Sequence, residues 1–256
     1  MHLWEAASLA VFAYIGVLGM LRGRTERGLR LLAGSAAGLL LTLVIAYAGY
    51  RPWLHDWVGP PALLLAAYWT SGALFVAPRA GQERVLMAID RMLGVAAAVR
   101  LMPRPLVELL ELGYLSIYPL IPATLIVYRL WTDDPDPARF WSVILITDYV
   151  CFAMLAWVQT RPPRALEAGE PWTSTLRGLN LRLLGTASIR VNTFPSGHAA
   201  EALATALLVS DAPLPAVLAV WGAALAVSAG AVLGRYHYAA DVAAGWAVAA
   251  AVWWAV

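Results

Sequence analysis

The chain has 256 residues, of which 61% are hydrophobic and 13% charged, with a net charge of +2 and a mean hydropathy of +0.68. A water-soluble domain of this length carries about twice that charged fraction, so the composition excludes an ordinary soluble enzyme and points to a chain that crosses a membrane several times. All 18 basic residues are arginine, so a bound anion is held by guanidinium groups, helix N-termini or backbone N–H groups; genomic base composition is the plainer account of the missing lysine. The single cysteine, Cys151, excludes an internal disulfide and a multi-cysteine metal site.

In chain order, eight apolar blocks approach the roughly 20 residues a spanning helix needs: Leu3–Met20, Leu31–Tyr50, Val58–Ala77, Leu106–Tyr128, Phe140–Thr160, Ser196–Ser210, Ala216–Gly234 and Val242–Val256. The expectation is an all-α, polytopic bundle of about eight transmembrane helices. The first block lacks a basic leader and a small-residue cleavage site, and is taken as a retained helix. The sixth and eighth are short, which tilt or burial in a bundle accommodates. Pro119 and Pro122 are expected to kink the fourth.

Between the third and fourth blocks, residues 78–105 carry Arg79, Arg84, Arg91, Arg100 and Arg104 with Leu86, Ile89, Leu93 and Val95 between them. This is an amphipathic segment on the membrane surface. As a ninth span it would bury Asp90 and Arg91 at about 2.5–3.5 kcal/mol each. The connection from Arg161 to Pro195 is polar and arginine-rich, and its length suggests function. Trp53, Trp57, Trp131 and Trp141 flank helix ends as interfacial anchors would.

The chemistry falls on two histidines. His198 closes Phe194-Pro195-Ser196-Gly197-His198 at the start of the sixth block, and His237 follows the seventh in Arg235-Tyr236-His237-Tyr238-Ala239-Ala240-Asp241. Alternating spans put both on one face. His237 and Asp241 are four residues apart, so on a helix the carboxylate reaches one ring nitrogen and leaves the other as nucleophile or base. His198 is then the general acid, a role worth about 10²–10⁴-fold. Pro195, Ser196 and Gly197 open a helix N-terminus where an anion binds. Arg161, Arg164 and Arg190 in the adjoining loop are candidate clamps on phosphoryl oxygens.

Three segments, Arg161-Pro162-Pro163-Arg164, Phe194-Pro195-Ser196-Gly197-His198 and His237-Tyr238-Ala239-Ala240-Asp241, resemble the three motifs of the type 2 phosphatidic acid phosphatase superfamily, which also includes the vanadium-dependent haloperoxidases. The resemblance covers roughly 58–256. It implies a six-helix core there, with 1–57 as two additional N-terminal helices. It also implies that His237 forms a phosphohistidine, Asp241 orients it, His198 protonates the leaving oxygen, and Ser196, Gly197 and Arg161 stabilise the transferring phosphoryl. Two positions depart from the pattern. Met154 stands where the first motif usually has lysine, and Ala231 where the third usually has arginine. These departures are similar to the branch of sphingomyelin synthase and inositol phosphorylceramide synthase, with Arg235 and Arg164 as candidate replacement ligands.

The expected function is a lipid phosphatase, with a lipid phosphotransferase as the alternative and an anionic-lipid transporter as the alternative of another class. No inverted repeat supports the transporter. The mechanism requires no metal or organic cofactor. The expected partners are the bilayer and a lipid phosphate, with no nucleic acid; the oligomeric state is left open. The expected location is the plasma (inner) membrane, with the site on the extracytoplasmic face. Among ionisable residues in apolar blocks, Glu201 is placed to meet His198 or a head group. Glu108 and Glu111 are expected at the interface or lining the lipid path. Asp148 is expected in a structural hydrogen bond unconnected with the histidines.

Overall fold

Apolar blocks whose flanks carry Pro, Gly and capping hydroxyls form helices, and helices alone build this fold. The computed structural model describes residues 1–169 and 171–256. Twelve α-helices occur among them: α1 (Leu3–Leu21), α2 (Glu26–Tyr47), α3 (Gly59–Ser71), α4 (Ala80–Met92), α5 (Val95–Arg100), α6 (Arg104–Leu115), α7 (Ile117–Trp131), α8 (Pro137–Ala153), α9 (Thr175–Thr186), α10 (Gly197–Leu208), α11 (Leu214–Leu233) and α12 (Ala239–Ala255). The only extended pairing among the described residues is an isolated bridge between Thr160 and Asn192.

Four helical segments are long and apolar enough to cross a membrane: Leu3–Leu21, Glu26–Tyr47, Pro137–Ala156 and Leu214–Leu233. A fifth span arises if α6 and α7 are taken together across their 62° bend. The chain is therefore a multi-pass membrane protein. The remaining apolar blocks of the sequence become α3, α10 and α12, of 13, 12 and 17 residues. The expected kink falls at Ser116, three residues ahead of Pro119. Proline has no N–H for the Leu115 carbonyl, and its ring crowds that turn.

The core is organised on α8, which buries Phe140, Trp141, Val143, Ile144 and Leu145 on several faces at once and packs against α1, α3, α10 and α12. Small residues let α10 come close to its neighbours, as in other membrane bundles. A Cβ on Gly245 of α12 would stand 2.6 Å from the Ser196 carbonyl oxygen and 3.4 Å from the Ala200 Cβ. The first two helices pair with each other through the Ser35 hydroxyl, which donates to the Phe12 carbonyl at 2.7 Å. They reach α8 through the Ser8 and Tyr149 hydroxyls, 2.9 Å apart.

Residues 78–105 form α4 and α5, separated by Gly94 in the left-handed region at φ 68°. The buried residues of α4 include Glu83 and Asp90, while Val85 and Met92, and Leu93 just beyond it, stay exposed. Glu83 and Asp90 thus face the protein with Leu86, and the outward side mixes Val85 and Met92 with Arg84 and Arg91. One helix was not foreseen. Within the connection 161–195, the Ser174 hydroxyl accepts from the Arg177 N–H at 3.0 Å and starts α9.

Candidate active site

The two histidines arrive from different helices. His198 is the second residue of α10, whose N-cap Ser196 accepts from the Ala199 N–H at 3.4 Å. His237 sits in the turn before α12. The N3 carboxylate of that helix, Asp241, accepts from the N-cap Tyr238 N–H at 3.0 Å. The Ser196 N–H donates to the Asp241 carbonyl at 2.9 Å, which locks the two helix starts together. The imidazole rings then lie 6.3 Å apart, centroid to centroid, at 90°.

Each ring is held by one nitrogen. His237 Nδ1 lies 3.4 Å from Asp241 Oδ2. The same carboxylate oxygen accepts from Asn192 Nδ2 at 2.9 Å, and Asn192 is itself anchored across the isolated bridge to the Thr160 hydroxyl at 3.0 Å. His198 Nδ1 lies 3.1 Å from the Tyr114 hydroxyl. In the imidazolium form that a general acid needs, Nδ1–H donates to the Tyr114 oxygen and Nε2 keeps the proton to be transferred. Tyr114 is stacked on Tyr236 at 4.2 Å.

Both rings line a cavity of about 320 Å³ between α3 and α7. Its apolar wall includes Leu64, Ile117, Ile121 and Phe152, and Tyr68 and Tyr118 also face it. Gly197 and Arg164 join the histidines in the lining. The Arg164 N–H donates to the Arg235 carbonyl at 3.1 Å, and its guanidinium stands 5.2 Å over the Tyr236 ring. Among the described residues, no group of three or more His, Cys, Asp or Glu is placed to hold a metal ion.

The other sequence-derived ligands are placed elsewhere. Arg161 grips Glu83 of α4 through Nε and Nη2, both at 2.9 Å. These hydrogen bonds hold the Glu83 carboxyl below its usual value. Arg235 is 2% exposed and sits at φ 61°. Its Nη1 donates to Asp90 Oδ2 at 2.7 Å and its Nε to Glu167 Oε2 at 3.0 Å. Burial opposes its charge, but the bonds from Glu167 and Asp90 outweigh that and raise its pKa. Asp90 also accepts from the Ala239 N–H at 2.9 Å, so the pair fastens α4 to the start of α12. Arg190 is exposed, with its guanidinium on the Gly185 carbonyl. Ser196 is fully buried as a cap. Arg161, Arg190 and Arg235 are thus absent from the cavity lining. The first and last are committed to carboxylates, and the second to a carbonyl.

The PAP2 superfamily model matches residues 136–256, a region that contains the first motif's Arg161, the Ser196-Gly197-His198 turn and the His237–Asp241 pair. PAP2 members are typically phosphatases or phosphotransferases. Residues 1–135 precede the matched region. No curated protein and no solved structure matches the chain.

Several residues around the two histidines were not singled out in the sequence. Tyr114 and Asn192 carry no spacing signal, because their partners are 84 and 49 positions away. Glu111 is buried within the protein. It is 1% exposed and accepts from Tyr236 at 2.7 Å, Arg177 at 3.0 Å, Asn180 at 2.7 Å and Trp172 at 2.7 Å. That hub fixes α9 and Tyr236 behind the site. Burial raises the Tyr236 pKa, so its hydroxyl stays a donor to Glu111. Asp148 also departs from expectation. It lines the histidine cavity, and its Oδ2 has no hydrogen-bond partner.

Proposed function

We propose that this protein is a lipid phosphatase that hydrolyses a phosphomonoester or diphosphate of a lipid through a phosphohistidine at His237. The observation that carries the reading is the pair of imidazoles facing one cavity, with Asp241 on the Nδ1 of the first and Tyr114 on the Nδ1 of the second. His237 Nε2 attacks phosphorus, the bond to the lipid oxygen breaks, and His198 Nε2–H delivers the proton that the leaving oxygen requires. Water then attacks the phosphohistidine, gives its proton back to His198, and phosphate leaves as the P–N bond breaks. Arg164 and the N-terminus of α10 at Gly197 stabilise the phosphoryl oxygens. The apolar walls of the cavity suit the adjoining tail.

In this reading, 1–57 is an addition to a catalytic core at 58–256. The core assignment is supported by α3 and Tyr114, which complete the cavity from outside the matched region. The exposed mixture of Val85 and Met92 with Arg84 and Arg91 on α4 suits a helix lying on the membrane surface. We take the site to lie on the extracytoplasmic face of the plasma (inner) membrane, as the family resemblance implies. Arginine bias would orient that face inward, but Arg161 and Arg235 are accounted for by their carboxylate partners.

Phosphotransfer to a second lipid is the alternative. It is favoured by Met154 and Ala231 at positions where the phosphatases carry cations. The test is purified protein in detergent with a panel of lipid phosphates, plus diacylglycerol or a ceramide-like acceptor. Free phosphate and new phospholipid are both followed, with His237→Ala as control. Phosphate release that depends on His237 supports hydrolysis, and new phospholipid with little phosphate supports transfer. Neither product across the panel removes both and leaves anionic-lipid transport.

A further inference from the structure

The catalytic proposal leaves two carboxyl groups in the cavity unused. Asp148 reaches it from α8 and Glu201 from α10, one turn into the helix beyond His198. Asp148 is 1% exposed, its Oδ2 has no hydrogen-bond partner, and its Oδ1 lies 3.3 Å from where a Gly197 Cβ would be. A buried carboxyl without a partner costs free energy that a ligand's donor can recover. Charged groups within membrane helices are retained at such cost chiefly for function. Glycine at 197 leaves the approach between Asp148 and the start of α10 open.

Depth decides what these groups meet. A phosphoryl group between His198 and His237 lies at the mouth of α10, and its lipid tail runs along the apolar wall. The atoms within two or three bonds of the phosphate-bearing carbon then run from Asp148, which stands against Gly197, to Glu201 one helical turn further in. Lipid backbones differ sharply there. A sphingoid base offers an amine and a hydroxyl, and a monoacylglycerol offers a hydroxyl. A diacylglycerol offers only ester acceptors, and a polyprenyl chain offers nothing polar.

We propose that Asp148 and Glu201 form a specificity subsite for a hydrogen-bond donor, hydroxyl or amine, on the lipid backbone next to the phosphate. The proposal rests on the phosphate position taken in the functional reading above. Sites built to bond a substrate donor discriminate strongly against analogues that lack it, because the protein's own polar groups are then left unpaired.

The test compares sphingoid-base phosphate and monoacylglycerol phosphate with diacylglycerol phosphate and polyprenyl phosphate. Relative kcat/KM is measured in the intact protein, Asp148→Asn and Glu201→Gln. Binding of the same four lipids is measured by native mass spectrometry in His237→Ala, alone and combined with each variant. The expected result is a preference for donor-bearing lipids that falls about tenfold or more in Asp148→Asn, in both turnover and binding. Glu201→Gln lowers it in the same direction and serves if Asp148→Asn does not fold. Equal preference for all four lipids in the intact protein, or an equal fall for all four in both variants, overturns the subsite. Binding separates this outcome from failure of the phosphatase reading. A donor preference in His237→Ala without phosphate release from any lipid sinks the reaction and keeps the subsite.

Discussion

Removing Asp90 tests whether helix α4 is part of the proposed active site's frame. Asp90 is 2% exposed and accepts two bonds, from Arg235 Nη1 at 2.7 Å and from the Ala239 N–H at 2.9 Å. Hydrogen bonds to a charged group contribute about 1.5–3 kcal/mol each, and breaking a buried ion pair costs about 3–5 kcal/mol when one charge is left alone. Arg235 is not left alone in Asp90→Ala, because Glu167 still holds it. The expected loss is therefore about 2–4 kcal/mol. Glu167→Ala removes a partner whose side chain is 31% exposed, and its loss is nearer 1 kcal/mol. Unfolding by denaturant in micelles measures both. Turnover falls further in Asp90→Ala, since Ala239 begins the helix that positions Asp241 against His237. Equal stability of the two variants, or full activity in Asp90→Ala, refutes this reasoning.

Other outcomes follow from the same geometry. Tyr114→Phe keeps the stack on Tyr236 but releases His198 Nδ1, so kcat drops by about 10²-fold or more with little change in KM; steady-state kinetics in detergent checks this. Gly245→Ala places a methyl 2.6 Å from the Ser196 carbonyl oxygen, so α12 moves off α10 and both stability and turnover fall, read by thermal unfolding and phosphate release. The Glu83 carboxyl is held below its unfolded value by Arg161, so its stabilisation is complete above about pH 4.5 and is lost as pH falls through the folded value. Melting of the intact protein and Glu83→Gln therefore differs at pH 7 and converges in acid.

The sequence made the membrane class and the juxtaposed histidine pair legible for physical reasons. Apolar block length reports spans directly, and the four-residue step from His237 to Asp241 is local helical geometry. Gly197 was legible for the same reason, as the neighbour of His198, whereas the sequence offered Arg164 only as one of three loop arginines, of which it alone lines the cavity. Partners far apart in sequence were not legible. The arginines looked like phosphate ligands because nothing local revealed that Glu83 holds Arg161, or that Asp90 and Glu167 hold Arg235. Glu111 looked interfacial until α9 supplied Arg177 and Asn180. That helix was itself hidden in a polar stretch, where only the Ser174 cap announced it. The fourth block was read as one span, but Pro119 divides it into α6 and α7, and α3 ends at Ser71 where its block runs on to Ala77.

The most direct test of the central claim is rapid acid-free quenching of the protein during turnover of a ³²P-labelled lipid phosphate, followed by peptide mapping. The account predicts a transient label on His237 that is stable in base and labile in acid, and that is absent in His237→Ala. Turnover with no labelled histidine, or with the label on another residue, would contradict it.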